Sequence, residues 1–121
     1  MTVIPRVLVV EDSPSFRGVL LMRLGALGAA ASAVDDVDAA IDLLEREAFD
    51  LVLTDQNLPR GTGLDLLAYV WHRFPGLPLV LMSAIVDRDL RERGALADAV
   101  YEKDALLGAL PTLVRTHALA A

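Results

Sequence analysis

Five polar side chains that follow aliphatic stretches have the chemistry of a phosphate-handling site. Glu11 and Asp12 come directly after the first such stretch, and Asp55 ends a later one. Ser83 and Lys103 stand at the ends of two further stretches. Carboxylates are ligands that Mg²⁺ prefers, whereas hydroxyl and ammonium groups bind phosphate oxygens. These residue types therefore indicate metal-assisted chemistry on a phosphate, provided that the fold brings them together.

Each of these residues also has a simpler explanation when it is taken singly. An aspartate at the end of a strand commonly caps a helix or begins a turn. Glu11 and Asp12 also suit the start of a helix, where the N-terminus favours negative charge. Ser83 and Lys103 fit an ordinary strand-end hydroxyl and a solvated lysine. Three carboxylates, a hydroxyl and an ammonium group at the ends of separate strands are more than turn chemistry alone would place.

The aliphatic stretches predict the strands of a sheet that is buried on both faces. The stretches "RVLVV", "DLVLT", "LPLVLMS" and "AVY" do not alternate apolar with polar residues, which is typical of parallel sheets. The alanine-rich "ASAV" before Asp35 is predicted as an edge strand. Amphipathic helical stretches lie between the strands. This alternation predicts an α/β fold, a doubly wound, five-stranded parallel sheet with helices on both faces.

Apolar residues at helical spacing predict the buried face of each helix. Ser13 and Pro14 begin the first helix as its cap and first-turn proline, and a third helix begins near Gly63. A fifth helix after Asp104 is expected to hold Pro111 in its first turn, since an interior proline removes a backbone hydrogen bond. The predicted faces of the first three helices are Phe16, Val19, Leu20, Leu24 and Leu27; Val37, Ala40, Ile41 and Leu44; and Leu67, Val70, Trp71 and Phe74.

The carboxyl ends of parallel strands meet at one edge of an open sheet, where ligands bind. We therefore expect Glu11, Asp12 and Asp55 to lie close together, with Lys103 beside them. Three crowded carboxylates raise one another's pKa unless positive charge joins them. A divalent cation together with Lys103 would bring the site near neutrality, and oxygen ligands favour Mg²⁺. Asp55 is then the candidate nucleophile, because carboxylates form acyl phosphates when a metal neutralises the transferred oxygens.

Length, charge and composition argue against several other classes of protein. The 121 residues suit one domain. The formal net charge is -6 and positive residues are not clustered, which argues against a DNA- or RNA-binding surface. Cysteine is absent, so the chain has no disulfide, thiol nucleophile or thiolate metal site. Without a signal-peptide pattern or an apolar run long enough to span a bilayer, we expect a cytoplasmic globular domain.

Four motifs resemble those of the receiver domains of two-component response regulators. They are "VLVVEDS", "DLVLTDQNLPRGTG", "LVLMSA" and "YEKD", which occur in family order and at family-like separations along essentially the whole chain. The resemblance implies a flavodoxin-like sheet with strand order 2-1-3-4-5. It also implies that residues 1–121 form one receiver (phosphoacceptor) domain, with no output domain in this chain.

The resemblance implies a role for each acidic residue of the predicted site. Asp55 would be the phosphoacceptor, taking a phosphoryl group from a phosphohistidine on a sensor histidine kinase or a phosphotransfer protein. Asp12, Asp55 and the backbone carbonyl of Asn57 would ligate Mg²⁺, with Glu11 acting mostly through a bound water. The chain would be a stoichiometric phosphoacceptor that assists its own phosphorylation and dephosphorylation, and not an enzyme with ordinary turnover.

Phosphate recognition and switching are implied in the same way. Ser83, Lys103 and the backbone N–H groups of Asn57 and Ala84 would bind the phosphoryl oxygens. A phosphoryl group adds about -1.5 to -2 of charge, which would draw Ser83 and Lys103 inward. That movement would alter the surface met by a downstream protein target or output domain. A homodimer through the fourth helix, fifth strand and fifth helix is also compatible with the sequence.

The sequence departs from the family pattern around Lys103. The family carries an aromatic residue three positions before the lysine, where this chain has Val100; Tyr101 follows on the opposite face of a regular strand. Either a small slip lets Tyr101 act with Ser83 as the switch, or the switch lacks an aromatic reporter. The family also favours a proline after the lysine, following a cis peptide bond. This chain has Asp104 there, for which we expect a trans bond.

Two other functions are compatible with the sequence. An aspartate-nucleophile phosphohydrolase would need a second aspartate two residues after Asp55, but position 57 is asparagine. A receiver-like protein-binding module that signals without phosphate is the main alternative. The departures at Val100 and Asp104 give that alternative some weight, because they affect the output face and not the acceptor.

Overall fold

Across the residues that the structure describes, a five-stranded parallel sheet forms the centre of the molecule, which confirms the predicted fold. The computed structural model describes residues 3–118. The strands are β1 (Arg6–Val10), β2 (Ala30–Val34), β3 (Leu51–Asp55), β4 (Leu79–Ser83) and β5 (Ala99–Glu102). They lie in the order β2-β1-β3-β4-β5, and all neighbouring strands are parallel. The edge strand predicted from "ASAV" is present as β2.

Helices connect the strands and cover both faces of the sheet. They are α1 (Pro14–Ala26), α2 (Val37–Arg46), α3 (Gly63–Arg73), α4 (Arg88–Arg93) and α5 (Lys103–Leu113), which continues into a π-helical segment, Val114–Ala118. The first four begin at side-chain caps from Ser13, Asp36, Thr62 and Asp87. Such caps satisfy N–H groups that lack a partner inside the helix, and so fix where each helix begins. Within residues 3–118, no helix is long and apolar enough to cross a bilayer.

Alternating apolar residues of the strands build one core layer on each face of the sheet. Val7 and Val9 of β1 pack with α1 and α5, whereas Leu8 and Val10 pack with α2 and α3. All residues of β3 are buried, as expected for a central strand covered on both faces. The strand interiors carry no charged residue, so the charged groups of the sheet lie at the strand ends.

Three details of the predicted helices are wrong. Trp71 is 51% exposed, because Leu67 and Val70 fill the buried stripe of α3 and the next position turns toward solvent. Leu27 is 38% exposed, because it is the residue that ends α1 and not part of its buried face. Pro111 lies inside α5 and not in its first turn. The burial of the leucines of α5 outweighs the loss of about 3 kcal/mol that an interior proline causes.

Candidate functional site

The register of the sheet brings four polar residues to the same edge. In the β1–β3 pair, the register places Glu11 beside Asp55. In the β3–β4 pair, Ser83 lies one residue beyond the partner of Asp55. In the β4–β5 pair, Ser83 lies opposite Glu102, so Lys103 follows at the same edge. Residues that are far apart along the chain therefore meet because the central strands are parallel and in register.

Lys103 joins two buried carboxylates at this edge. Its Nζ lies 2.6 Å from Oε1 of Glu11 and 3.0 Å from Oδ2 of Asp55. Glu11 is 0% and Asp55 is 3% exposed, whereas 21% of the Lys103 side chain is exposed. Ion pairs in such surroundings are weakly screened by salt, so the ammonium group holds both carboxylates firmly. These residues line a pocket at the edge of the sheet. The lysine lies at the rim of this pocket, and its ammonium group faces the carboxylates of Glu11 and Asp55.

Asp12 completes an acidic cluster whose donor atoms suit a hard cation. One carboxylate oxygen each from Glu11, Asp12 and Asp55 lies within 4.8 Å of the others. Asp12 is exposed, which leaves a solvent-facing side to the cluster. The buried Oε1 of Glu11 contacts the Lys103 ammonium group at 2.6 Å. A donor set of three carboxylates, all oxygen ligands, fits Mg²⁺.

Burial and charge shift the pKa values of two groups in the pocket. Burial raises the pKa of the Glu11 carboxyl because its ionised form loses hydration, and the charge of Asp55 adds to this. The Lys103 ammonium and the Ser13 N–H oppose that increase. Burial acts to lower the pKa of Lys103, but Glu11 and Asp55 together outweigh it and raise the pKa. The lysine therefore stays charged, and additional positive charge would favour ionised Glu11.

Asn57 and Ser83 line the neighbouring side of the pocket. The backbone N–H of Asn57 donates to Oδ1 of Asp55 at 3.3 Å, and its side-chain amide donates to Oγ of Ser83 at 3.4 Å. Ser83 is 3% exposed, and Ala84 follows it at the exposed start of the loop to α4. Both oxygens of Asp55 are thus engaged, one by an N–H group and one by the ammonium of Lys103.

The loop after Asp55 is held in place by close backbone packing. A Cβ atom at Gly63 would lie 2.6 Å from the Asp55 carbonyl oxygen and 2.7 Å from Cδ2 of Leu81. The side-chain oxygen of Gln56 accepts the N–H of Leu64 at 2.9 Å, and the backbone N–H of Gln56 donates to the Met82 carbonyl of β4 at 2.8 Å. Only glycine permits this approach, so the start of α3 fixes the position of the Asp55 backbone.

Tyr101 and Val100 of β5 pack on different faces of the sheet. Tyr101 packs with the core layer of α1 and α5, whereas Val100 packs with the layer of α2 and α3. The two residues thus face opposite sides of the sheet, and the strand does not slip to exchange them. All peptide bonds among residues 3–118 are trans, including the one between Lys103 and Asp104.

Three residues that support the site were not predicted from the sequence as part of it. The N–H of Ser13 donates to Oε2 of Glu11 at 3.2 Å, and Nη1 of Arg17 donates to the Glu11 carbonyl at 3.1 Å. The ring of Phe16 lies 5.1 Å from Nζ of Lys103. All three belong to the start of α1, and the available signal was the helix start at Ser13, which follows Glu11 and Asp12 directly.

Sequence comparison places the chain among signalling proteins. A model of the family described as the response regulator receiver domain matches residues 7–102. The response regulator protein PilR of Pseudomonas aeruginosa is 37% identical over 92% of this chain and 25% of PilR. The chemotaxis protein CheY of the same organism is 34% identical over 69% of this chain and 70% of CheY. The chain therefore spans about a quarter of PilR and most of CheY.

Solved structures show the same fold. A response regulator receiver protein from Pseudomonas putida superposes with a TM-score of 0.87 at 26% identity. The match covers 97% of this chain and 100% of the P. putida chain. The response regulator TrrA from Thermotoga maritima, determined in complex with Mg²⁺ and BeF, has a TM-score of 0.81 at 23% identity and covers 91% of this chain and 99% of TrrA.

Proposed function

Because this chain belongs to the response regulator receiver domain family, we propose that Asp55 accepts a phosphoryl group from a phosphohistidine. The donor would be a sensor histidine kinase or a phosphotransfer protein. One observation carries the proposal: a buried carboxylate at the end of the central strand lies 3.0 Å from an ammonium group and within 4.8 Å of two further carboxylates. The ammonium group, together with a cation held by the carboxylates, would offset the negative charge on the transferred phosphoryl oxygens.

The proposed step requires no general base from the protein. A carboxylate oxygen of Asp55 attacks phosphorus, the O–P bond forms as the donor's P–N bond breaks, and the electron pair stays on the histidine nitrogen. Asp12, Asp55 and the carbonyl of Asn57 would hold Mg²⁺, with Glu11 acting mostly through water. When bound, the ion would offset charge on the transferred oxygens. Lys103 would exchange its contact with Asp55 for one with the phosphoryl group.

Switching would begin at Ser83 and Lys103. The Ser83 hydroxyl would donate to a phosphoryl oxygen, and the N–H groups of Asn57 and Ala84 would complete the phosphate site. Because the Asn57 amide contacts Ser83 in the structure, reorienting Ser83 would disturb the loops before α3 and α4. A switch through Tyr101 would act on the core layer of α1 and α5, against which its side chain packs, and not on the side of β5 where Val100 lies.

The signal would pass to a downstream protein target or an output domain. We propose that residues 1–121 act as one cytoplasmic receiver unit, phosphorylated stoichiometrically and not turning over a substrate. TrrA, which has the same fold, was determined in complex with Mg²⁺ and BeF, and that complex is in line with the Mg²⁺ site proposed for this chain.

Intact-mass spectrometry tests the proposal. We expect a small acyl phosphate with Mg²⁺ to add one phosphoryl group to the protein, and Asp55→Asn or a metal chelator to abolish the addition. Asp35→Asn is the control, because Asp35 is an exposed carboxylate outside the acidic cluster. Absence of any addition to the wild-type protein would contradict the proposal.

A receiver-like module that binds partners without phosphate is the second candidate. The placement of Val100 and Tyr101 on opposite faces of β5 favours it, because an aromatic reporter then does not occupy the family's position. Beryllofluoride distinguishes the two: the phosphoacceptor should change its affinity for a partner when the mimic binds, and the alternative should not.

A further inference from the structure

An aromatic ring accompanies the carboxylates around the Lys103 ammonium group. The ring centroid of Phe16 lies 5.1 Å from Nζ of Lys103. Glu11 and Asp55 approach the same nitrogen at 2.6 Å and 3.0 Å. A cation within about 6 Å of an aromatic centroid is attracted by the ring's negative face. The ammonium group is therefore held by two anions and by one neutral ring that takes no part in metal or phosphate binding.

The first turn of α1 fixes the ring. Phe16 donates its N–H to Oγ of the helix cap Ser13 at 3.5 Å, and Ser13 donates its own N–H to Oε2 of Glu11 at 3.2 Å. The Phe16 side chain packs against the core layer of α1 and α5. One capped turn therefore sets the positions of both the buried carboxylate and the ring, and Lys103 extends to meet them from the other end of the chain.

We propose that Phe16 is a positioning residue, which holds the Lys103 ammonium group at the phosphoacceptor pocket. The proposal rests on the proposed function of Asp55. A neutral ring suits this task because a further carboxylate would add repulsion to an already acidic cluster. The attraction to a ring face has little directional demand, so the ammonium group can move toward a phosphoryl oxygen without leaving Phe16. A leucine would fill similar space without this attraction.

The placement can be measured without any phosphate. The sequence contains one lysine, so protein labelled with carbon-13 lysine gives one set of side-chain NMR signals. We expect Phe16→Leu to move the Hε signals of Lys103 downfield, because the ring-current shift is lost. Phe49→Leu is the matched control, since the Phe49 ring lies 5.1 Å from the guanidinium carbon of Arg6 and not from the lysine. An unchanged Lys103 signal in Phe16→Leu would overturn the proposal.

Phosphorylation rates test whether this placement of Lys103 assists the phosphorylation of Asp55. With a small phosphodonor and Mg²⁺, we expect Phe16→Leu to slow phosphorylation by about two- to fivefold, the ratio that a cation–π contact of ordinary strength supplies. Phe16→Trp and Phe16→Tyr should restore the rate, and Phe49→Leu should leave it unchanged. Urea denaturation of each variant separates this effect from a general loss of stability.

The outcomes of the two experiments are distinguishable. A shifted lysine signal together with a rate that recovers only with aromatic residues supports the proposal. Equal slowing by leucine, tyrosine and tryptophan overturns it, because the ring then has no specific role. If the wild-type protein takes up no phosphoryl group at all, the function proposed for Asp55 fails, and the lysine signal still decides whether the Phe16 ring lies against Lys103 in solution.

Discussion

Lys103 Nζ lies 3.0 Å from Oδ2 of Asp55, so the one lysine of the chain pairs with the carboxylate that ends the central strand. The same nitrogen lies 2.6 Å from Oε1 of Glu11, which is fully buried. A buried carboxylate without a partner loses most of its hydration with nothing to replace it. The fold of the pocket therefore depends on this ammonium group before any phosphate arrives.

Replacing Lys103 by methionine should destabilise the fold through Glu11. Breaking a fully buried pair typically costs about 3–5 kcal/mol. Because part of the Lys103 side chain is exposed, we expect about 2 kcal/mol by urea denaturation. Adding Glu11→Gln should recover most of this loss of stability, since the buried Glu11 carboxylate left without its ammonium partner is then removed. The control Arg88→Met breaks an exposed pair with Glu92 and should change stability by less than about 0.5 kcal/mol; equal losses in both variants would contradict the account.

Asp12 should matter for metal binding and not for folding. Asp12 is exposed, and its carboxylate lies in a cluster with Glu11 and Asp55. Asp12→Asn removes one charge from the donor set, so we expect Mg²⁺ affinity by calorimetry to fall about tenfold or more. Mg²⁺ should also raise the melting temperature of the wild-type protein more than that of the variant. An equal loss of Mg²⁺ affinity in the control Asp35→Asn would show that the loss reflects the net charge of the protein and not ligation by Asp12.

Gly63 should tolerate no side chain. A Cβ atom there would lie 2.6 Å from the Asp55 carbonyl oxygen and 2.7 Å from Cδ2 of Leu81. We expect Gly63→Ala to lower the free energy of unfolding by about 3 kcal/mol and to reduce phosphorylation, because the backbone of Asp55 must shift. Gly18→Ala is the control: nothing lies within 4 Å of its added carbon, and α1 should gain about 0.5–1 kcal/mol. Equal behaviour of the two alanines would contradict the packing described at Asp55.

The sheet was predictable from the sequence because its signal is local and repeated. Unbroken aliphatic runs indicated strands buried on both faces, and the polar residues after them indicated the functional edge. The position of Lys103 followed from the same rule, since every strand of a parallel sheet ends at the same edge.

The details that were not predicted depend on contacts between distant segments. Trp71 has the apolarity and spacing of a buried residue, but Leu67 and Val70 suffice to cover the sheet there. The sequence predicts Pro111 in the first turn of α5, yet tertiary burial extends that helix through it. Phe16 has the spacing of a core residue, and its second contact, with Lys103, appears only when β5 and α1 are both in place.

Two surface residues that contact each other, Glu45 of α2 and Tyr69 of α3, should make the stability of the fold depend on pH. The Tyr69 hydroxyl donates to Oε1 of Glu45. This hydrogen bond is the largest cause of the raised pKa of Tyr69 and of the lowered pKa of Glu45. The pair should therefore stabilise the fold between the ordinary glutamate and tyrosine pKa values. Its contribution is lost as pH falls through the lowered value of Glu45, and as pH rises from the ordinary tyrosine value to the raised value of Tyr69.

Ultraviolet titration of tyrosinate measures this response. In a Tyr101→Phe background, which leaves Tyr69 as the chain's one tyrosine, Glu45→Gln should lower the pKa of Tyr69. Glu47→Gln is the control, because Glu47 pairs with Arg6 and not with Tyr69. A Tyr69 titration that is unaltered by Glu45→Gln would show that the hydrogen bond does not persist in solution.

The most direct test of the phosphoacceptor is to locate the modified residue. After reaction with a small acyl phosphate and Mg²⁺, borohydride converts an aspartyl phosphate into homoserine, which peptide mass mapping assigns to a single position. We predict conversion at Asp55 alone, with none in Asp55→Asn. Conversion at another carboxylate, or unmodified Asp55 in protein that has taken up phosphate, would contradict the central claim.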